Sequence, residues 1–267
     1  MKKYIVLMLI FVMTFFCSAC SKKRELNDLE TIKERGYLIV GVKEDSPPFG
    51  FYKDEKLTGI DIELSKYIAD NIFDNPYYTN IKFVSVTPQN RFSKLNSGEV
   101  DFLAAIVSIN DKRKLIIDFS IPYFSTGQKI MVNKDSKISH LSYFNTKGTI
   151  AVILGTTGEN VLHLAAPNAR IVAVRTYKEA VNLLENNLVD AVLGDDCVLK
   201  GYNDGRFRII NRAYSKEYYA VALRKSDKSK ELLQVVNTSI TSFLDDKKMN
   251  ALKREYGLSN TPKLLVE

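Results

Sequence analysis

Apolar runs alternate with amphipathic, helix-like segments along almost the whole chain. The apolar runs predict strands at 37–42, 81–86, 101–106, 129–133, 149–154, 170–174, 190–193, 207–210 and 218–224. Apolar residues three and four positions apart predict helices at 27–35, 60–73, 88–97, 158–165, 177–187, 195–202, 229–244 and 247–256. This alternation is typical of βα units around a largely parallel sheet, so we predict an α/β fold.

One pattern occurs twice. The stretch TPQNRFSKLNSGEVDFL (87–103) aligns without a gap with TYKEAVNLLENNLVDAVL (176–193), and Asp101 then matches Asp190. Each copy has the pattern of an N-cap threonine, a helix, a tight turn and a strand that opens with Val-Asp. Together with the alternation, the repeat predicts two lobes of similar build.

Two lobes require the chain to cross between them. The stretches 123–132 and 212–223 are the candidate crossings, and the second returns the chain to the first lobe. A cleft between two such lobes is a common place for a small ligand. The predicted division is lobe 1 at 29–125 with 219–267, lobe 2 at 129–215, and a hinge at 126–128 and 216–218.

The N-terminus has the pattern of an export signal. Two lysines precede an unbroken apolar run, 4–16, which is too short to span a bilayer but suits a signal-peptide core. Small residues then precede Cys20, as in the lipobox of bacterial lipoproteins, although Cys17 stands where that motif usually has leucine. We expect a signal peptide at 1–19 and lipidation of Cys20, with plain cleavage and secretion as the alternative.

A hydrophilic tether, 20–28, would then connect the lipid to the domain. If Cys20 is acylated, Cys197 is the only other cysteine of the mature chain, so the fold must rely on its hydrophobic core. Removing Lys2 and Lys3 lowers the Lys and Arg count from 38 to 36 against 31 Asp and Glu, which leaves a formal charge of +5. This mild excess, without a basic tract, disfavours a nucleic-acid partner.

The segment GIDIELSKYIADNI (59–72) predicts an amphipathic helix with Ile60, Leu64, Ile68 and Ile72 on one face. It resembles the signature of the bacterial extracellular solute-binding proteins, family 3, which serve polar amino-acid ABC transporters. Further stretches resemble this family in the same order, over about 29–257: GVKEDSPPFG, VDFLAAIVSINDKRKLIIDFSIPY, GQKIMVNKDS, ILGTTGEN and DAVLGDDCVL. The resemblance implies a periplasmic-binding-protein-like (class II) fold, with two α/β lobes joined by a two-strand hinge and the ligand cleft between them.

The resemblance places Arg113 at the family position whose guanidinium holds the α-carboxylate of an amino acid. The planar fork of an arginine gives two parallel, charge-assisted hydrogen bonds to a carboxylate. Ser108 is expected to contact the same carboxylate through its hydroxyl or its backbone. Ile106 stands where many relatives carry a small or hydroxylated residue.

The stretch LGTTGE (154–159) ends a predicted strand and opens a predicted helix. Thr156 and Glu159 form a capping-box pattern. Exposed N–H groups at the helix start, with the hydroxyls of Thr156 and Thr157, would form an anion site on the second lobe. A glycine-rich nucleotide fingerprint does not occur in the sequence.

Asp195 matches the family aspartate that receives the α-ammonium. A buried ammonium needs a compensating negative charge, so the cleft requires one carboxylate. Asp196 is the competing candidate, and a role for Asp195 as a helix N-cap is compatible with binding.

Three further residues are candidate ligand contacts. Lys43 and Arg91 would be two cations beyond Arg113, which suits a ligand with a second carboxylate. Phe49 would pack beside the aliphatic part of the ligand, and a place in the core is the alternative. The stretch GVKEDSPPFG (41–50) itself is either a solvated turn or a cleft rim at the end of the first strand.

The sequence therefore predicts an extracytoplasmic receptor, lipid-anchored in the periplasm or at the outer face of the cell membrane. Its expected partners are an amino acid, most closely glutamate or aspartate, and the permease of an ABC transporter. We expect a monomer without a cofactor, a metal site or catalytic residues. Alternatives are a receptor for glutamine or cystine, an enzyme that resembles the cyclohexadienyl dehydratases, and a sensory or adhesive lipoprotein.

Overall fold

The computed structural model describes residues 25–75, 80–245 and 247–258. The predicted signal peptide (1–19) and the lipidated Cys20 lie outside these residues. Asn27, at the end of the predicted tether, already belongs to the fold, because it caps the first helix through a reciprocal capping box with Glu30.

Strands and helices alternate as the sequence predicts. The strands are β1 (Leu38–Val42), β2 (Asp45–Ser46), β3 (Gly50–Lys53), β4 (Lys56–Thr58), β5 (Ile81–Ser85), β6 (Phe102–Ser108), β7 (Ile117–Thr126), β8 (Gln128–Asn133), β9 (Thr149–Ile153), β10 (Arg170–Val174), β11 (Ala191–Asp195), β12 (Phe207–Ile209) and β13 (Glu217–Arg224). The helices are α1 (Asp28–Arg35), α2 (Ile60–Phe73), α3 (Arg91–Asn96), α4 (Asp111–Lys114), α5 (Thr157–Ala165), α6 (Tyr177–Glu185), α7 (Asp196–Tyr202), α8 (Lys230–Asp245) and α9 (Lys247–Glu255).

The strands form two five-stranded sheets and a small hairpin sheet. The first sheet has the order β5-β1-β6-β13-β7, the second β10-β9-β11-β8-β12, and β2, β3 and β4 form the third. In both large sheets the strands that follow helices are parallel, while the strands after each crossing are antiparallel to their neighbours. The predicted class, with two α/β lobes, is confirmed.

The chain passes between the two sheets twice. Gly127 alone separates β7 from β8, and residues 210–216 connect β12 to β13. The crossings lie side by side, because Glu217 pairs with Thr126. A side chain at Gly127 would meet the Ser215 carbonyl at 2.4 Å, which explains why glycine stands at this contact. The exact lobe and hinge boundaries remain a prediction.

The sequence repeat corresponds to a structural repeat. In the first sheet Asp101 donates its N–H to Ile39 O (2.8 Å), and its carboxylate accepts from Ile39 N (2.7 Å). In the second sheet Asp190 makes the same two bonds to Thr149, at 2.8 and 2.7 Å. Each aspartate thus ties the start of its strand to the parallel neighbour.

The amphipathic helix predicted from GIDIELSKYIADNI is α2. Its four apolar positions are fully buried, or nearly so, against the first sheet and α8. Cys197 is buried in the core, where burial raises the pKa of its thiol. Within the described part of the chain, no helix is both long and apolar enough to cross a membrane.

Candidate functional site

A cleft lies between the two sheets, where strand ends and helix starts from both meet. Its lining residues are Pro88, Arg91, Ile106, Ser108, Arg113, Thr156, Thr157, Tyr177 and Asp195. Six of the eight predicted ligand contacts are therefore brought together: Arg91, Ser108, Arg113, Thr156, Thr157 and Asp195. Lys43 and Phe49 do not line the cleft.

Hydrogen bonds join the two sides of the cleft. Gln89 Nε2 donates to Leu154 O at 2.7 Å, and Arg113 Nη2 donates to Gly155 O at 3.3 Å. Gly155 has φ +75°, and a side chain there would meet Pro88 O at 3.1 Å across the cleft. The structure is thus a closed arrangement of the two lobes.

Arg113 is held by the short helix α4. Asn110 caps α4 by accepting from Arg113 N at 2.9 Å, and Arg113 Nη1 donates to Ser108 O at 2.7 Å. Burial lowers the pKa of Arg113, whereas the charges of Glu217 and Asp195 raise it. A guanidinium keeps its charge in proteins, so Arg113 presents a fixed, mostly desolvated cation to the cleft.

The start of α5 faces Arg113 from the other lobe. Thr156 is the N-cap residue, but its hydroxyl donates to Ile153 O (2.7 Å) and makes no capping bond. Glu159 accepts from Gly155 N at 2.6 Å, one residue earlier than a capping box requires. The predicted capping box is therefore wrong in detail. Thr156 and Thr157 line the cleft, beside the N-terminus of a helix, as an anion site requires.

Asp195 is the carboxylate of the cleft. It lies at the end of β11, is 4% exposed, and accepts from Gln128 Nε2 at 2.9 Å and from Tyr177 Oη at 2.8 Å. Burial, and then the charge of Glu217, raise the pKa of Asp195 to about 6. Each carboxylate oxygen has a further lone pair, so Asp195 can still accept from an ammonium.

The structure separates Asp195 from its neighbour Asp196. Asp196 does not line the cleft, and it forms ion pairs with Lys200 (2.9 Å) and Lys129 (3.3 Å). The register preferred from the sequence therefore selects the carboxylate that faces the cleft.

Arg91 is the second cation of the cleft. It is 2% exposed, its Nη1 donates to Ala105 O at 3.0 Å, and its buried Nε has no hydrogen-bond partner. The Phe92 ring lies 5.0 Å from the guanidinium carbon of Arg91 and 5.5 Å from that of Arg113. Burial, and then the charge of Arg113, lower the pKa of Arg91 to about 9, so it remains charged at neutral pH.

Lys43 departs from the sequence-based prediction. Its ammonium pairs with Asp45 Oδ1 at 2.7 Å, and the side chain is buried at the end of β1. Burial lowers the pKa of Lys43, and the charge of Asp45 opposes that shift. Lys43 is thus not an unpaired cation of the cleft, because the acidic tip of its own loop neutralises it.

Phe49 is a core aromatic. It is fully buried and makes edge-to-face contacts with Phe124 (4.9 Å between ring centroids) and Tyr219 (5.3 Å). These contacts add to its burial energy. Phe49 therefore takes the place in the core that was the alternative to a contact with the ligand.

Sequence reasoning missed residues that shape the carboxylate side of the cleft. Tyr177 Oη donates to the Asp195 carboxylate and accepts from Asp195 N at 3.1 Å. Gln128 Nε2 also donates to Thr157 Oγ1 at 3.2 Å. The repeat could have revealed Tyr177, because it occupies the position that Pro88 holds in the other copy, and both line the cleft. Gln128 follows the crossing glycine in the stretch GQKIMVNKDS, which indicated the family but not a contact with Asp195.

The arrangement can bind a zwitterion. A cation and a helix start lie opposite a buried carboxylate, so a molecule with a carboxylate at one end and an ammonium at the other finds a complementary charge at each. Among the described lining residues, Asp195 supplies the carboxylate, and both of its oxygens are already bonded to Gln128 and Tyr177.

Residues 38–259 match the bacterial extracellular solute-binding proteins, family 3, and the chain belongs to this family. A glutamine-binding protein from Geobacillus stearothermophilus is 34% identical over 207 residues, which are 76% of this chain and 78% of the relative. An L-cystine-binding protein from Escherichia coli (strain K12) is 30% identical over 238 residues, which are 85% of each chain.

The fold is also similar to solved structures. An ancestral amino-acid-binding protein, described as a precursor of cyclohexadienyl dehydratase, superposes with a TM-score of 0.79 at 30% identity. The match covers 85% of this chain and 98% of the ancestral protein.

Proposed function

We propose that the protein is the substrate-binding receptor of an amino-acid ABC transporter. Membership of the solute-binding family supports a receptor, and the glutamine- and cystine-binding relatives support an amino acid as the solute. The observation that carries the proposal is that Arg113 and Asp195, two opposite charges from different lobes, line the same cleft. Arg113 and the Thr156–Thr157 turn hold the α-carboxylate, and Asp195 receives the α-ammonium.

Arg91 then determines which ligand side chain the cleft prefers. Its buried Nε lacks an acceptor, and an unpaired buried donor is costly, so the ligand should bring an oxygen to this point. A side-chain carboxylate does so with a full opposite charge, and we propose glutamate or aspartate. The same cation would repel arginine or lysine.

Glutamine is the second candidate, and two observations favour it. Lys43 is neutralised by Asp45, which removes one of the two cations that suggested a second carboxylate. Glu217 adds a buried negative charge near Arg113 and Asp195. An amide oxygen would satisfy Arg91 Nε without adding charge, as the glutamine-binding relative suggests. Cystine would reach Arg91 with its second α-carboxylate.

A receptor fits the cleft better than a dehydratase does. An enzyme would need a catalytic acid in addition to the group that binds the ammonium. The described lining residues contain one carboxylate, Asp195, and binding occupies it.

We propose that the receptor works as a monomer beside its permease, held by a lipid on Cys20 outside the cytoplasm. Fractionation of Cys20→Ala checks the anchor, since unchanged membrane-associated mature protein would exclude it.

Calorimetry of the purified mature chain against glutamate, aspartate, glutamine, cystine, arginine and lysine tests the ligand. Arg113→Ala should abolish binding of every amino acid, because it removes the common α-carboxylate contact. Arg91→Ala should reduce affinity less and mainly erode the discrimination between glutamate and glutamine. Arg206→Ala, an arginine exposed outside the cleft, is the matched control and should bind like the unmodified protein. Tight binding of arginine or lysine, with none of glutamate, aspartate or glutamine, would contradict the assignment.

A further inference from the structure

Strand β6 is interrupted where it lines the cleft. Tyr219 of β13 pairs with Ser108 and Ala220 with Val107, but Ala222 pairs with Leu103. Residues 104–106 of β6 thus lie opposite a single residue of β13, and we call them the β6 bulge. Bulges interrupt a ladder locally and often aim groups at a functional site.

Two polar groups of the β6 bulge are satisfied by side chains rather than by β13. Ile106 N donates to Asp61 Oδ2 at 3.1 Å, and Ala105 O accepts from Arg91 Nη1 at 3.0 Å. The β6 bulge therefore connects Arg91, which faces the cleft, to Asp61, which does not line it.

Ile106 adopts an unfavourable backbone conformation. Its φ is +46°, in the left-handed region that a β-branched residue rarely enters. Such a conformation persists only where its surroundings hold it. Asp61 is in a position to do so, because it is fully buried near the start of α2 and its other oxygen accepts from Tyr123 Oη at 2.6 Å.

We propose that Asp61 is a positioning residue that sets ligand specificity from outside the cleft. By accepting from Ile106 N, it holds the β6 bulge in its left-handed turn. That turn presents Ala105 O to Arg91 and so fixes the position of the guanidinium that contacts the ligand side chain. The inference rests on the proposed function, since it concerns the same ligand site.

The first test compares two replacements of Asp61. Asp61→Ala removes the acceptor of Ile106 N, and we expect an affinity loss of about tenfold together with loss of the preference between glutamate and glutamine. Asp61→Asn keeps an acceptor for Ile106 N and should retain that preference. An Asp61→Ala variant with an unchanged preference would overturn the proposal.

Ser120→Ala is the matched control. Ser120 Oγ accepts from Val221 N at 2.9 Å, on the β13 side of the same interruption, and Ser120 is also buried. Its loss should lower the melting temperature but leave the ligand preference unchanged. If Ser120→Ala shifts the preference as much as Asp61→Ala does, the role of Asp61 is merely structural and the proposal fails.

Ile106→Gly supplies a rescue. Glycine enters the left-handed region without a steric penalty, so a bulge with Gly at 106 depends less on Asp61. The double variant Asp61→Ala with Ile106→Gly should recover the ligand preference of Ile106→Gly alone, while its stability stays low. Failure to recover it would count against the proposal.

A ligand-independent measurement separates this inference from the proposed function. In a crystal structure of Asp61→Ala, Ile106 should leave the left-handed region and Arg91 should lose Ala105 O. Unchanged geometry would overturn the inference. An unmodified protein that binds no amino acid would instead overturn the proposed function, while the positioning of Arg91 by Asp61 would still stand. If Asp61→Ala does not fold, Asp61→Leu with Tyr123→Phe replaces the buried pair by apolar groups and takes its place in these measurements.

Discussion

At the scale of single residues, charge and burial decide what the cleft can hold. Arg113 and Arg91 face it as cations and Asp195 as a carboxylate, each with little or no contact with water. Buried charges are costly unless they are paired. A zwitterionic ligand supplies the missing partners, so affinity should depend directly on the ionisation of Asp195.

Binding should therefore weaken in acid. Burial and Glu217 raise the pKa of Asp195 to about 6, while hydrogen bonds from Tyr177 and Tyr219 and the charge of Arg113 oppose the shift. Below that pKa the free protein carries a neutral Asp195, which cannot pair with an ammonium. Each pH unit below about 6 should then cost up to about tenfold in affinity. Calorimetry between pH 7.5 and 4.5 measures this change.

Two variants control the pH experiment. Asp195→Asn should bind weakly at every pH, because the amide carries no charge to titrate. Asp196→Asn should keep the pH dependence, because Asp196 pairs with Lys129 and Lys200 outside the cleft. An affinity that stays constant down to pH 4.5 would show that Asp195 does not receive the ammonium.

Individual site residues were predictable where a motif fixed their position. Arg113 and Asp195 lie at motif positions, and both face the cleft. Lys43 and Phe49 were expected at the cleft but do not line it, because other parts of the fold supply their partners. Asp45 of the hairpin sheet pairs with Lys43, and Phe124 and Tyr219 of the crossing strands pack against Phe49. The left-handed turn of Ile106 had no sequence signature, since isoleucine normally avoids it.

At the scale of elements, the periodicity predicted the buried strands and long helices closely. It missed most of β7, where polar residues and Pro122 break up the apolar run, and it missed the hairpin sheet β2-β3-β4, which is rich in charge and proline. The helix predicted at 88–97 begins only at Arg91. Tertiary pairing, rather than local pattern, determines these segments.

The repeated aspartates allow an element-scale prediction. Asp101 and Asp190 bond the neighbouring strand in the same way, but Asp101 is buried and also pairs with Arg35, whereas Asp190 is exposed. Replacing a buried, paired carboxylate leaves more groups unsatisfied. Asp101→Ala should thus lower the free energy of unfolding by about 2–3 kcal/mol, and Asp190→Ala by roughly 1 kcal/mol. Chemical denaturation measures both.

Ligand affinity serves as the control for this pair. Neither aspartate lines the cleft, so both variants should bind like the unmodified protein once folded. Equal stability losses would mean that burial does not distinguish the two copies of the repeat.

At the scale of the whole molecule, side-chain hydrogen bonds join the two lobes at several points. Besides Gln89 and Arg113, Tyr202 Oη donates to Asp45 O between the lobes. The ligand contacts we propose also come from both lobes. Binding should therefore favour the closed arrangement, because one ligand can contact both lobes there. The size of this shift is set by the difference in ligand affinity between the closed and the open arrangement.

A substitution at Gly201 tests whether closure is required for binding. Gly201 lies in α7, and a Cβ there would come within 2.4 Å of Pro47 O on the other lobe. Gly201→Ala should therefore prevent full closure while leaving each lobe intact, and in a helix alanine should even add roughly 0.5–1 kcal/mol of stability. We expect ligand affinity to fall by about tenfold or more. A tenfold loss corresponds to about 1.4 kcal/mol of binding free energy, which the imperfect closure of the lobes would cost. Small-angle scattering should show a smaller ligand-induced decrease in the radius of gyration than in the unmodified protein.

Lys200→Ala, on the same helix but directed to solvent, should bind and contract normally. If Gly201→Ala also binds and contracts normally, this inter-lobe contact is not part of the closed, ligand-bound state.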